Sequence, residues 1–114
     1  MSEQFEMYTE STCAVFKLKG RFVEDESHKE FFNEIKEACE TGNKKFIIDL
    51  TELTYINSSG INLLVKLVKY LNAEEGKIVF TGVPDNINEL LTIIGLNAVF
   101  AIEPSIKEGL QQLN

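Results

Sequence analysis

The sequence predicts a single α/β domain, a mixed central β-sheet with about four helices packed on it. Two observations carry that expectation. Strand-like and helix-like apolar periods take turns along the chain after a pair of short alternating segments. One of the strand-like segments, "KKFIIDL", is apolar on both faces, as a central strand of a parallel sheet is.

The elements follow in order. "CAVFKLKG" places Ala14, Phe16 and Leu18 on one side and Val15, Lys17 and Lys19 on a wetter one. The preceding "FEMYT" is a weaker strand that can pair with it. After "GRF" the period changes: in "EDESHKEFFNEIKEACETG" the residues Phe31, Phe32, Ile35, Ala38 and Cys39 recur at helical spacing. Acidic residues crowd the first turn, where the helix dipole favours them, and Gly42 is a suitable stop. "LTYI" extends the "KKFIIDL" strand towards "NSSG", and a long apolar segment follows from the serines to Leu71. "KIVFTG" reads as a buried strand and "PDNINELLTIIGL" as a short helix opened by Pro84, with Leu90, Leu91, Ile93 and Ile94 on its apolar side. "AVFAI" reads as a last short strand and "PSIKEGLQQL" as a closing helix. Crossovers between successive parallel strands should be right-handed, and sites in such folds gather at the turns after the strands' carboxyl ends. "NSSG" is one of those turns.

Composition narrows the function. The chain has 114 residues, 44% of them hydrophobic and 25% charged, which fits one globular domain spanning 1–114. Its formal charge of −7 repels phosphate backbones and anionic lipid, so neither nucleic acid nor a membrane is expected as a direct partner. Apolar runs are far shorter than the roughly 20 residues that span a bilayer, and the acidic start "MSEQFEMYTE" has no basic leader region. The expected location is cytoplasmic. Cys13 and Cys39 lack a CxxC spacing and are expected as buried thiols. No P-loop, GxGxxG, HExxH or EF-hand pattern occurs, so no metal and no cofactor of its own is expected.

The turn admits two readings. Asn57 or Ser58 can cap the following helix through a side-chain oxygen, which accounts for the residues without any further role. Alternatively, a helix N-terminus offers free N–H groups and about half a positive charge, so a phosphate on a serine there is locally stabilised. That phosphate adds roughly −1.5 to −2 charges, enough to disrupt an interface that meets the turn, and Gly60 leaves room for a partner's approach. A catalytic serine is disfavoured: "INSSGIN" is not a nucleophile elbow, and the only histidine, His28, is expected on the solvated side of the first helix. After the turn, Ile61, Leu64, Val65, Val68 and Leu71 form one helical face. Leu63, Leu67 and Tyr70 widen the apolar arc to roughly 220°, against the ~100° that packing on a sheet requires. Neighbouring helices cover the surplus, or a partner does.

"FIIDLTELTYINSSGINLLVKLVKYL", with "VFKLKGRF" before it and "GKIVFTGVPDNINELLTIIGLNAVFAI" after it, resembles the STAS domains, specifically the bacterial anti-sigma factor antagonists. The residues that match the family's strand and turn are Asp49, Leu50, Thr51, Leu53, Tyr55, Ile56, Asn57, Ser58, Ser59 and Gly60, and the pair Gly95 and Leu96 also matches. The resemblance implies a STAS-like fold and a non-enzymatic partner-switching module. In such proteins the unphosphorylated antagonist binds an anti-sigma factor that is also a GHKL-type serine kinase, and so releases that factor's target. Phosphorylation of the first serine, here Ser58, ends the binding, and a metal-dependent serine phosphatase resets it. Asn57, Ser59, Gly60, Ile61, Asn62 and Leu63 are then the residues expected to meet the partner. The chain departs from the family at Asn57, where an aspartate is usual, and in reading "GIN" for "GLG". The alternative within the family is a binding or scaffold module with no phosphorylation cycle, in a signalling or transport complex.

Overall fold

The first two segments pair as their alternation predicts. In the computed structural model, which describes residues 5–23 and 26–113, strand β1 (Phe5–Glu10) runs antiparallel to β2 (Cys13–Phe22). Helix α1 (Glu26–Glu40) leads to β3 (Lys45–Ile56), α2 (Ser58–Ala73) and β4 (Lys77–Thr81). Helix α3 (Asp85–Ile93), a 3-10 turn (Leu96–Ala98), β5 (Ile102–Glu103) and α4 (Ile106–Leu113) complete the domain. The sheet order is β1-β2-β3-β4-β5, parallel from β2 onward. The acidic residues Glu24 and Asp25, expected at the start of the first helix, lie outside the described residues.

Period-two alternation divides the sheet between two cores. Phe16, Leu18, Phe46, Ile48, Leu50 and Phe80 point to one face, where α1, α2 and α3 bring Phe31, Ile35, Leu64, Leu67, Leu71 and Leu91. Phe31 meets Phe16 and Phe22 edge-on, each at 5.6 Å between ring centroids, an arrangement that aromatic quadrupoles favour. On the other face Cys13, Val15, Ile47 and Val79 lie under Ile106, Leu110 and Leu113 of α4. Both cysteines are buried free thiols.

Four sequence expectations are corrected. Val15 is buried rather than wet, because α4 covers that end of the face; further along β2, Lys17 and Lys19 are half-buried and pair with Glu52 and Glu6. His28 is half-buried, not solvated, with its ring 5.3 Å from that of Phe22. It stands three residues before Phe31 and seven before Ile35, on their side of α1. Helix α3 buries Ile87 and Leu91, whereas Ile93 and Ile94 stand at its end and are 81% and 48% exposed. Finally, "AVFAI" is not a strand. Gly95 adopts a left-handed φ of 79° after α3, the chain makes the 3-10 turn, and only Ile102–Glu103 pairs with β4. Phe100 stacks on Phe80 at 4.6 Å instead.

The wide apolar arc of α2 is covered from within. Leu63 and Leu67 are buried, and Phe32 of α1 packs against Tyr70 at 6.0 Å, so α2 is sandwiched between the sheet and α1.

Candidate functional site

The serine turn owes its position to an unequal pairing of β3. This strand is 12 residues long and follows β2 as far as Ile56, but its pairing with β4 stops at Asp49 opposite Thr81. Residues 50–56 therefore run past β4 beside β2 alone. The point of departure is fixed by Asp49, a buried carboxylate that accepts hydrogen bonds on one oxygen from Thr81 Oγ1 at 2.7 Å and Thr51 Oγ1 at 3.1 Å. Burial of a carboxylate is tolerated where hydroxyls replace the lost water in this way.

At the end of this overhang the chain turns into α2. Asn57 has extended backbone (φ −108°, ψ −176°), its Oδ1 accepts from Gly60 N at 2.9 Å, and its carbonyl accepts from Ile61 N at 2.9 Å. Of the two capping candidates, Asn57 is the one used. Ser58 is the first helical residue and is exposed; Ser59 is half-buried. The first turn of α2 carries no acidic residue, so nothing of its own offsets the positive end of the helix dipole.

Gly60 serves a different purpose from the one its sequence position suggests. It is buried, and a Cβ there would overlap the Phe22 carbonyl and stand 2.8 Å from Ile56 Cγ1. The absent side chain lets α2 sit close against β2 and β3, not a partner against the turn. Of the other residues expected at the interface, Asn62 is exposed, Asn57 is half-buried, and Ile61 and Leu63 are buried. Ile61, Ser58 and Asn62 line a shallow hollow beside the turn together with Tyr55, Leu90 and Ile94. Tyr55 is 43% exposed, and Arg21, its register partner on β2, lies over its ring at 4.4 Å from the centroid. That contact has cation–π geometry.

Residues 4–109 match the STAS domain. The chain belongs to the STAS domain family. This STAS domain is 33% identical over 73 residues to an anti-sigma-B factor antagonist of Listeria monocytogenes, a match that spans 60% of this chain and 64% of that relative's length. Its fold superimposes on SpoIIAA, an anti-sigma factor antagonist solved in its unphosphorylated form, with a TM-score of 0.79 at 17% identity, covering 95% of this chain and 94% of the other. The phosphorylated form of SpoIIAA, from Bacillus, gives 0.76 at 17% identity over 96% of this chain and 99% of the other. An anti-sigma factor antagonist from Mycobacterium paratuberculosis gives 0.80 at 16% identity, over 96% and 92%. No helix among the described residues of this STAS domain is long and apolar enough to cross a membrane.

Sequence reasoning did not anticipate Arg21, Leu90, Ile94 or Thr81. Thr51 was legible, since it follows Asp49 by two residues and so shares its face. Thr81 was not, because its pairing with Asp49 depends on the β3–β4 register.

Proposed function

We propose that this STAS domain is an anti-sigma factor antagonist that works by partner switching. The unphosphorylated chain binds an anti-sigma factor with serine kinase activity and releases that factor's target. Phosphorylation of Ser58 ends the binding, and a metal-dependent serine phosphatase restores it. The chain itself is not an enzyme in this scheme; ATP and metal belong to its partners.

The observation that supports this reading most is Ser58 itself. It is exposed, stands at the first position of α2 beyond the Asn57 cap, and borders a hollow with apolar walls from Tyr55, Ile61 and Ile94. A phosphate there meets the helix N-terminus, so the free chain tolerates it. A partner seated over the hollow would have to bury the same charge against apolar surface. Moving a binding equilibrium from 1:99 to 99:1 takes about 5.5 kcal/mol of differential affinity, a magnitude within reach of an unpaired buried charge.

The test is incubation with the cognate kinase and ATP. Ser58→Ala should take up no phosphate while Ser59→Ala remains a substrate, and Ser58→Asp should lose affinity for the unmodified chain's partner. Equal labelling of Ser58→Ala and the parent would remove the site assignment. Asn57, in place of the usual aspartate, supports a second reading as a binding module without a phosphorylation cycle; equal partner affinity of Ser58→Asp and the parent would select it.

A further inference from the structure

A second groove flanks α2 on the side away from the hollow. It holds about 410 Å³ between α1 and α2 and is lined by His28, Lys29, Phe32, Asn33, Leu63 and Lys66. Phe32 and Leu63 supply an apolar floor, while Lys29 and Lys66 are exposed.

The charge around this groove runs against that of the chain. The sequence carries 18 acidic residues against 11 Lys and Arg, yet α2 contains no acid between Ser58 and Ala73, and Lys66 and Lys69 stand on its outer face. On α1, at ~100° per residue, Lys29 and Lys36 share the flank of Phe32, Glu30 and Glu34 fall on the opposite flank, and Asn33 stands at the boundary between Lys29 and Glu37. Among the described side chains of α1, Glu40 is the acid on the lysine flank, and it lies roughly 16 Å along the axis from Lys29. The ion pairs among the described residues join Lys17 to Glu52 and Lys19 to Glu6, so Lys29 and Lys66 have no carboxylate partner there.

We infer that the α1–α2 groove docks an acidic segment of a protein partner, whose carboxylates meet Lys29 and Lys66 while an apolar side chain rests on Phe32 and Leu63. A long polyanion is a poorer fit, because the remainder of a chain at −7 repels it beyond the groove. Leu63 lies five residues beyond Ser58 on the same helix and ~140° around it, so this contact and the switch use different faces of α2. The inference rests on α2 being the partner-facing helix, and its test does not depend on phosphorylation.

The experiment titrates the isotope-labelled full chain with a synthetic peptide of glutamates around a central leucine, and with its lysine counterpart. Amide shifts should gather at Lys29, Phe32, Asn33, Leu63 and Lys66 for the acidic peptide only, and weaken with salt. A Lys29→Glu, Lys66→Glu double variant, exposed at both positions and checked for folding by circular dichroism, should bind about tenfold more weakly or worse. Ser58→Ala should bind like the parent, which keeps this outcome apart from that of the phosphorylation scheme. The inference is overturned if shifts are absent, survive in the double variant, or arise equally with the basic peptide. It is also overturned if phosphatidylserine vesicles, and not the peptide, engage the same lysines.

Discussion

The side chain of Asn57 accepts a hydrogen bond from the backbone N–H of Gly60 at 2.9 Å, which makes the residue before the two serines the cap of α2. Asn57→Ala leaves that N–H without its partner and should lower stability by about 1 kcal/mol in urea denaturation. Asn57→Asp keeps an acceptor at the same place and should match or exceed the parent, since a negative charge favours the helix N-terminus. Equal stability of parent and alanine variant would show that the cap contributes nothing.

Gly60→Ala forces a methyl group into the Phe22 carbonyl and against Ile56. A backbone oxygen cannot swing aside, so α2 must shift outward. The expected loss is about 1–3 kcal/mol by urea denaturation, with amide shifts spread over both β2 and the first turns of α2. Full stability with unchanged spectra would refute the close approach.

Thr81→Val removes the shorter of the two hydrogen bonds to Asp49 while preserving shape. Because Asp49 is buried, a lost donor costs more than an average hydrogen bond, and about 1–3 kcal/mol is expected by chemical denaturation. Thr51→Val breaks the longer bond at an exposed residue and should cost less. The reverse ranking would place the anchor of β3 elsewhere.

Glu6 and Lys19 meet at 2.8 Å across β1 and β2. Hydrogen bonding to Lys19, and then that residue's charge, holds the Glu6 carboxyl below the usual carboxylate range. The same hydrogen bond raises Lys19. A depressed acid stabilises fully above its unfolded pKa and loses that contribution as pH falls through the folded one. A raised amine stabilises fully below its unfolded pKa and loses its contribution as pH rises through the folded one. The stability difference between parent and Glu6→Gln should thus be flat around neutrality and close in acid, as read from urea midpoints at stepped pH. A gap that persists unchanged in acid would mean the pair is not its source.

Much of the fold was legible because its signals are local. Alternation in β2, the helical recurrence of Phe31, Ile35 and Cys39, and the doubly apolar β3 each follow from a single segment. The failures share a cause as well. Val15 is dry because α4, from the far end of the chain, covers it. His28 is half-buried because the Phe22 ring packs beside it. "AVFAI" has strand composition, yet the 3-10 turn takes its first residue and Phe100 stacks on Phe80, which leaves pairing to Ile102–Glu103 only. At the site, a side-chain cap was readable from "NSSG", but not that Asn57 rather than Ser58 supplies it. The hollow was not, since Leu90 and Ile94 reach it from another helix, and neither was the purpose of Gly60, which is set by a carbonyl 38 residues earlier in the chain.

The overhang of β3 has a mechanical consequence. Beyond Asp49 the strand parts from β4 and runs on beside β2, with the Thr81 hydroxyl on the Asp49 carboxylate tying the two strands at the point of departure. Strands paired on one side only are more strongly twisted than those in the middle of a wide sheet. Ser58 is carried at the end of this extension, so a load placed on the turn passes to β2 through the ladder and the close contact of Gly60 with Phe22, and to the rest of the sheet through the buried face of α2.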